Sequence, residues 1–340
     1  MSTKHDPRAQ RTLRLATGTA LCLAISFAMG LSIPFLAPVL CLLLGMANRP
    51  LSFKAGVGLA LAVMLTTGCG LLLIPVLVYY PATGVLLISL GLFLAFRHGL
   101  QGGNNLIVTF LMIGLTMISA AGVADFGSAV AVIAALITGL SLAVMAVTFS
   151  HWLFPEPAQP ARPPATATMP PEEVNRVALR ATLIVIPTFL LALIDPSKYL
   201  PIILKAVSLG QQSSTTNTRN AAHELLGSTL LGGVLAIAFW CALSLFVHLW
   251  MFFLWMLLFG LLVGRKLYRL SPTLQTPGFW LNTLITMIIL LGQSVQDSAA
   301  GKDVYTAFAM RMGLFIVVTL YACLMVYWLE QRRPAPKRAH

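Results

Sequence analysis

Residues 55–96 read AGVGLALAVMLTTGCGLLLIPVLVYYPATGVLLISLGLFLAF, forty-two residues between Lys54 and Arg97 without a single charge. A bilayer crossing takes roughly 20 apolar residues. This stretch is therefore long enough for two crossings, and Tyr79-Tyr80-Pro81 marks the turn between them. The neighbouring intervals behave alike. Arg14 to Arg49 encloses 34 uncharged residues, interrupted by Pro34 and Pro38; Arg97 to Asp125 encloses 27, and Asp125 to Glu156 encloses 30. Together they predict six helices, at about 15–31, 33–46, 55–78, 83–96, 105–121 and 126–150.

Composition extends that reading to the whole chain. Of 340 residues, 58% are hydrophobic and 9% charged, with a mean hydropathy of +0.87. Soluble domains carry about 25% charged residues, and a water-facing surface could not be covered by so few polar groups. A soluble enzyme, a disordered chain and a disulfide framework are excluded. Cys22, Cys41, Cys69, Cys241 and Cys323 all sit inside apolar segments with no ligand or pairing spacing, so they read as small buried hydrophobes, with no metal and no cofactor. The net charge of +12 is spread between apolar runs rather than gathered on one face, which speaks for membrane topology and against a nucleic-acid partner.

The second half follows the same plan. Arg180 to Asp195 encloses 14 uncharged residues, a short apolar segment 199–210 follows, Glu224 to Arg265 encloses 40, and Arg269 to Asp297 encloses 27. A last segment runs from Asp303 to Glu330. Landmarks keep a near-constant offset: Arg14 to Arg180 is 166, Lys54 to Glu224 is 170, Arg97 to Arg265 is 168. Phe35-Leu36-Ala37-Pro38-Val39-Leu40 also parallels Tyr199-Leu200-Pro201-Ile202-Ile203-Leu204. The expected fold is an all-α integral membrane protein of about twelve transmembrane helices, arranged as two parallel six-helix repeats. Its parts are a cytoplasmic N-terminal segment 1–14, a first repeat 15–154, a linker 155–173, a second repeat 174–330 and a basic tail 331–340. Seven of the seventeen residues in 155–171 are proline, which forbids a helix there.

Lysine and arginine set the orientation. With twelve crossings and both termini in the cytoplasm, eighteen of the 22 fall on the inner side, leaving Lys198, Lys205, Lys302 and Arg311 outside or within the membrane. The basic start and apolar run mimic a signal peptide but continue into a second helix without a small-residue cleavage site, so the first span is expected to be retained.

Three stretches carry a resemblance: Leu13-Arg14-Leu15-Ala16-Thr17-Gly18-Thr19-Ala20, Pro34-Phe35-Leu36-Ala37-Pro38-Val39-Leu40, and His223-Glu224-Leu225-Leu226-Gly227-Ser228-Thr229-Leu230-Leu231-Gly232-Gly233. They resemble the fusaric acid resistance / aromatic acid exporter (FUSC-like) superfamily, in its short bacterial branch catalogued as a domain of unknown function. Longer members hold a soluble cytoplasmic domain where this chain has its proline linker. The resemblance implies an inner-membrane efflux permease for aromatic or other organic acids, working with a periplasmic adaptor of the membrane-fusion type. It also implies kinship with plant anion channels built from one six-helix unit per subunit.

Ionisable groups inside spans cost about 2.5–3.5 kcal/mol on insertion scales, so each needs a reason. Lys205, six residues into the short segment 199–210, reads as a fixed cation for a carboxylate substrate; snorkelling to the headgroups is the plainer reading. Arg311, eight residues past Asp303, is the second substrate-side cation. His223 and Glu224, after Arg219, are the proton-coupling candidates, since histidine exchanges protons in the physiological range. Arg97, His98, Arg219 and Arg265 form a basic cytoplasmic mouth that anchors topology and gathers anions. Asp125 and Asp303 read as helix caps. Gly56, Gly58, Gly68, Gly70, Gly227, Gly232, Gly233 and the Gly260–Gly264 pair read as sites of close helix packing.

The expected function is proton-coupled export of organic anions by a non-enzymatic permease, with the lipid bilayer and the adaptor as partners and homo-oligomers open. A passive organic-anion channel and a non-transporting assembly subunit are the alternatives. A membrane transferase would need clustered carboxylates for Mg²⁺, and the aspartates are scattered singly. No nucleotide-binding motif is present.

Overall fold

The computed structural model describes residues 6–46, 53–155, 170–215 and 218–331, which are helical with no strand among them. Most of the proline-rich linker, Arg49 and the basic tail beyond residue 331 lie outside the described residues. Twelve helices follow in order. They are α1 (Pro7–Ala28), α2 (Leu36–Gly45), α3 (Phe53–Tyr79), α4 (Pro81–Leu100), α5 (Asn105–Ile113, then a π-helical stretch Gly114–Ile118 and Ser119–Ala124) and α6 (Phe126–Leu153). The second set is α7 (Pro171–Ile194), α8 (Pro196–Thr215), α9 (Thr218–Leu245), α10 (Leu249–Leu267), α11 (Pro277–Ala299) and α12 (Val304–Gln331).

The chain itself punctuates these helices. Asp6 accepts the Arg8 N–H at 2.9 Å ahead of Pro7, Asn104 accepts the Leu106 N–H at 3.0 Å, and Asp125 accepts the Ser128 N–H at 3.0 Å. Thr276 caps α11 on the Phe279 N–H at 3.3 Å, ahead of Pro277. Each pairs an oxygen acceptor with an orphan N–H of a first turn, where proline does no harm. Asp125 and Asp303 thus act as the caps expected. α1 starts at Pro7, well before the expected 15, and α7 at Pro171 rather than 174, its Glu172 and Glu173 lying at the positive end of the helix.

Nine helices among the described residues are long and apolar enough to cross a bilayer: α3–α7 and α9–α12. This is the architecture of a multi-pass membrane protein. α1, α2 and α8 fall short of that standard. The ten residues of α2 reach about 15 Å at 1.5 Å per residue, half of a hydrocarbon core. α8 has the length, but Lys198, Lys205 and its Gln211–Gln212 end dilute it.

Two helices occupy the centre. Within the molecule lie 83% of the α11 span and 72% of the α5 span, against 28% for α3, α4 and α12. The outer helices turn Leu61, Met64, Leu72, Leu86, Ile237, Leu262 and Leu324 outward, as lipid requires. α1 packs on α2, α6 and α10; α7 packs on α8, α12 and α4. α3 lies against α5 and α9 against α11, while α2 touches α11 and α5 touches α8. Small residues allow the close crossings. A Cβ on Gly260 would stand 3.2 Å from Ala16, and one on Gly264 would stand 3.0 Å from Thr12. Gly70 and Gly114 bring α3 and α5 closer still, with 2.6 Å from a Gly70 Cβ to the Gly114 carbonyl. Gly58 and Gly68 face open space, so the packing expected of them is not made.

Candidate functional site

Lys205 is fully buried, although a lysine of four methylenes ordinarily reaches water. α8 aims it at α11. Its Nζ donates to Asn282 Oδ1 at 2.9 Å and to Thr286 Oγ1 at 2.7 Å. Asn282 and Thr286 are one turn apart, so both face α8. The network is closed behind them. Asn282 Nδ2 donates to Ser228 Oγ on α9 at 2.7 Å, and Thr286 donates to the Asn282 carbonyl at 2.7 Å. Ser208, three residues after Lys205, donates to Asn282 Oδ1 at 3.3 Å. The close α9–α11 crossing at Gly232, where a Cβ would stand 2.6 Å from the Thr286 Cβ, holds this geometry.

Among the described residues no carboxylate pairs with Lys205. Neutral acceptors solvate the amine but supply no opposite charge, and an uncompensated buried ion costs several kcal/mol. Snorkelling is thereby set aside, since the side chain does not reach the surface.

One turn beyond, α8 borders a cavity of about 20 Å³, room for a single water. Its walls come from α2, α5, α8 and α11, and its polar groups are Thr109, Ser208 and Gln211. Gln211 Nε2 donates to Thr109 Oγ1 at 2.7 Å, joining α8 to α5.

The other expected residues are placed less centrally. Arg311 pairs with Asp297 across the α11–α12 turn, so its charge is already matched. His223 is exposed and Glu224 is buried. As consecutive helical residues they do not face one another, and the structure does not bring them together as a pair. Glu224 lies one turn before Ser228, on the side of α9 that meets the lysine network. Arg97 and His98 end α4, and Arg265 and Lys266 end α10, where cations suit the negative helix end. Lys266 also stands 4.7 Å from the Trp280 ring centre. Arg219 falls in the opening turn of α9.

Charge counting missed two kinds of residue. Arg14 and Arg180 read as cytoplasmic cations that bound the first span of each half, yet both are buried within the helices α1 and α7. Arg180 donates to the Ser213 carbonyl near the end of α8, while Arg14 borders a small pocket with Cys41 and Gly45 near the end of α2. Their constant offset of 166 was the available signal. The polar partners Thr109, Ser208, Gln211, Ser228, Asn282 and Thr286 carry no charge. Only the run of Asn282, Thr283 and Thr286 within an apolar span marked them.

Residues 11–149 match one family model. Its description is a protein of unknown function (DUF2955). The matched stretch runs from within α1 to within α6 and does not include Lys205. No curated protein and no solved structure matches the chain.

Proposed function

We propose that the chain is a permease of the bacterial inner membrane that exports aromatic or other organic acids. The single observation that carries this reading is Lys205, a buried amine with no carboxylate partner among the described residues, set beside a cavity bounded by helices of both halves. A protein that only scaffolds a complex gains nothing from such a group, which costs stability. A cation in low dielectric attracts an anion strongly, and anions are what an acid exporter must draw from the cytoplasm.

The packing supports two co-oriented sextets, α1–α6 and α7–α12. α1 on α10 has its counterpart in α7 on α4, and α2 on α11 in α8 on α5. Such exchange is what a pseudo-two-fold axis along the membrane normal produces. On this reading α1, α2 and α8 complete twelve crossings with both termini cytoplasmic, and the sextets rock about α5 and α11. The resemblance to the FUSC-like exporters adds the substrate class, the export direction and a periplasmic adaptor. Glu224, buried next to Ser228, serves proton coupling in place of the His223–Glu224 pair.

The test is export from cells and from proteoliposomes loaded with labelled benzoate. Lys205→Met should lower export at least tenfold with an unchanged amount of protein in the membrane. Wild-type export by that variant, or no flux through the wild type with its adaptor present, overturns the reading. Flux indifferent to a pH gradient would select the passive channel instead.

A further inference from the structure

The cavity beside the lysine network has a chemistry more specific than its size suggests. Its eight apolar wall residues, four from α2 and the rest from α5, α8 and α11, are all aliphatic. Its three polar residues, Thr109, Ser208 and Gln211, each carry an O–H or N–H donor, those of Ser208 and Gln211 now engaged with Asn282 and Thr109, which a ligand would take over. No carboxylate or other charged group lines it. An acceptor-only head with an apolar body fits such walls, whereas a cation would find no counter-charge there. Lys205 stands one turn behind Ser208 and reaches it through their common acceptor, Asn282 Oδ1.

We infer that this cavity is the substrate seat, that it takes a monoanionic carboxylate with an apolar body, and that Gln211, Ser208 and Thr109 bind the carboxylate. The inference rests on the transport reading and gives it a location. The carboxylate supplies the counter-charge that Lys205 lacks, from the α5 side of Asn282. Binding has a mechanical consequence. One N–H of the Gln211 amide is given to Thr109 across the two halves, and the space has room for one water only. The ligand enters only when the halves part, and its oxygens then take over the Gln211 amide. The Gln211–Thr109 hydrogen bond is thus the latch of the empty protein, and the anion replaces it.

Charged groups around the seat do not compete for this role. Arg180 of α7 is committed to the Ser213 carbonyl, and Tyr321 of α12 donates to the Leu183 carbonyl at 3.2 Å. Glu224 of α9 is not among the residues that line the cavity.

The experiment is equilibrium binding of labelled benzoate to the full chain in lipid nanodiscs, with benzamide as the neutral isostere. Benzoate should bind and unlabelled benzamide should fail to compete at a hundredfold excess. Gln211→Leu should weaken benzoate binding at least tenfold and Ser208→Ala about threefold, while Ser298→Ala, on an exposed residue at the end of α11, should leave it unchanged. If Gln211→Leu does not fold, a second measurement stands in. Leu43→Cys, on the cavity wall, should be alkylated by a maleimide and protected by benzoate but not by benzamide.

Equal competition by benzamide, wild-type affinity of Gln211→Leu, or no protection at position 43 overturns the inference. Its failure is separable from that of the function. Export intact with benzoate binding insensitive to Gln211→Leu defeats the seat alone. Benzoate bound at the seat without any flux defeats the transport reading alone.

Discussion

Arg311 on α12 is paired with Asp297 on α11, fourteen residues earlier, across the turn that joins two transmembrane helices. The aspartate is buried and the guanidinium partly so. Removing one partner leaves the other charge stranded, which is worse than losing both. Because the guanidinium is partly exposed, Asp297→Asn should destabilise the protein by about 1–3 kcal/mol, and the double variant Asp297→Asn with Arg311→Met should recover part of that. Thermal unfolding in detergent measures both. A single variant as stable as the wild type would remove the pair from the account of this turn.

Asn282 offers a sharper test of the charge on Lys205. Asn282→Asp sets a carboxylate against the amine at the distance now held by Oδ1, 2.9 Å. A resident counter-ion then substitutes for the ligand. Expected outcomes are a melting temperature a few degrees higher and benzoate binding weakened more than tenfold. Higher stability with unchanged binding would contradict the view that the anion acts as the counter-ion of Lys205.

The glycines divide into two groups. A Cβ on Gly70 would lie 2.6 Å from a backbone carbonyl of α5, which cannot yield as a flexible side chain can. Gly70→Ala should cost about 2 kcal/mol or more. Gly58 meets nothing within 4 Å, and Gly58→Ala should be neutral or stabilising by about 0.5–1 kcal/mol through helix propensity. Thermal melts of the two variants side by side check the contrast.

Asp303 ties the start of α12 to pH. Its carboxylate accepts from the Thr306 hydroxyl and from the Tyr305 N–H at 3.1 Å, and these bonds hold it below the ordinary aspartate value of 3.8. A lowered folded value means that the cap stabilises above the ordinary value and is lost as pH falls through the folded one. Amide exchange at Tyr305 and Thr306, corrected for intrinsic rates, should stay protected from pH 7 to about 4 and loosen only in stronger acid. Asp303→Ala should be loose throughout.

The helix count was legible because lipid penalises charge so heavily that gaps between charges reveal the spans. The same logic was silent on burial. Arg14 and Arg180 were counted as cytoplasmic cations bounding the first span of each half, and both are buried; Arg180 is seated on the Ser213 carbonyl, near the end of α8, and there the negative end of the helix accepts a cation. Lys205 stood out as a lone cation in an apolar run. Its partners did not, because Asn282 and Thr286 lie 77 and 81 residues away and are neutral. Gln211 and Thr109, 102 residues apart, belong to different halves, and no local pattern links them. His223 and Glu224 looked like a pair because they are adjacent in sequence, which on a helix separates side chains rather than joining them.

The π-helical stretch Gly114–Ile118 gives α5 a wider turn midway along its length, on the segment that carries Thr109. A turn of this kind accommodates one residue more than an α-turn, and one residue corresponds to about 100° of rotation. Shortening that stretch by a single residue would let α5 close into a regular spiral with its two ends still in phase, whereas winding all of its residues into α-turns would swing one end about 100° from the other. In the second case Thr109 would point away from Gln211 while Ser119 and the residues after it kept their places. The alignment of the two halves is in this sense keyed by one surplus amino acid.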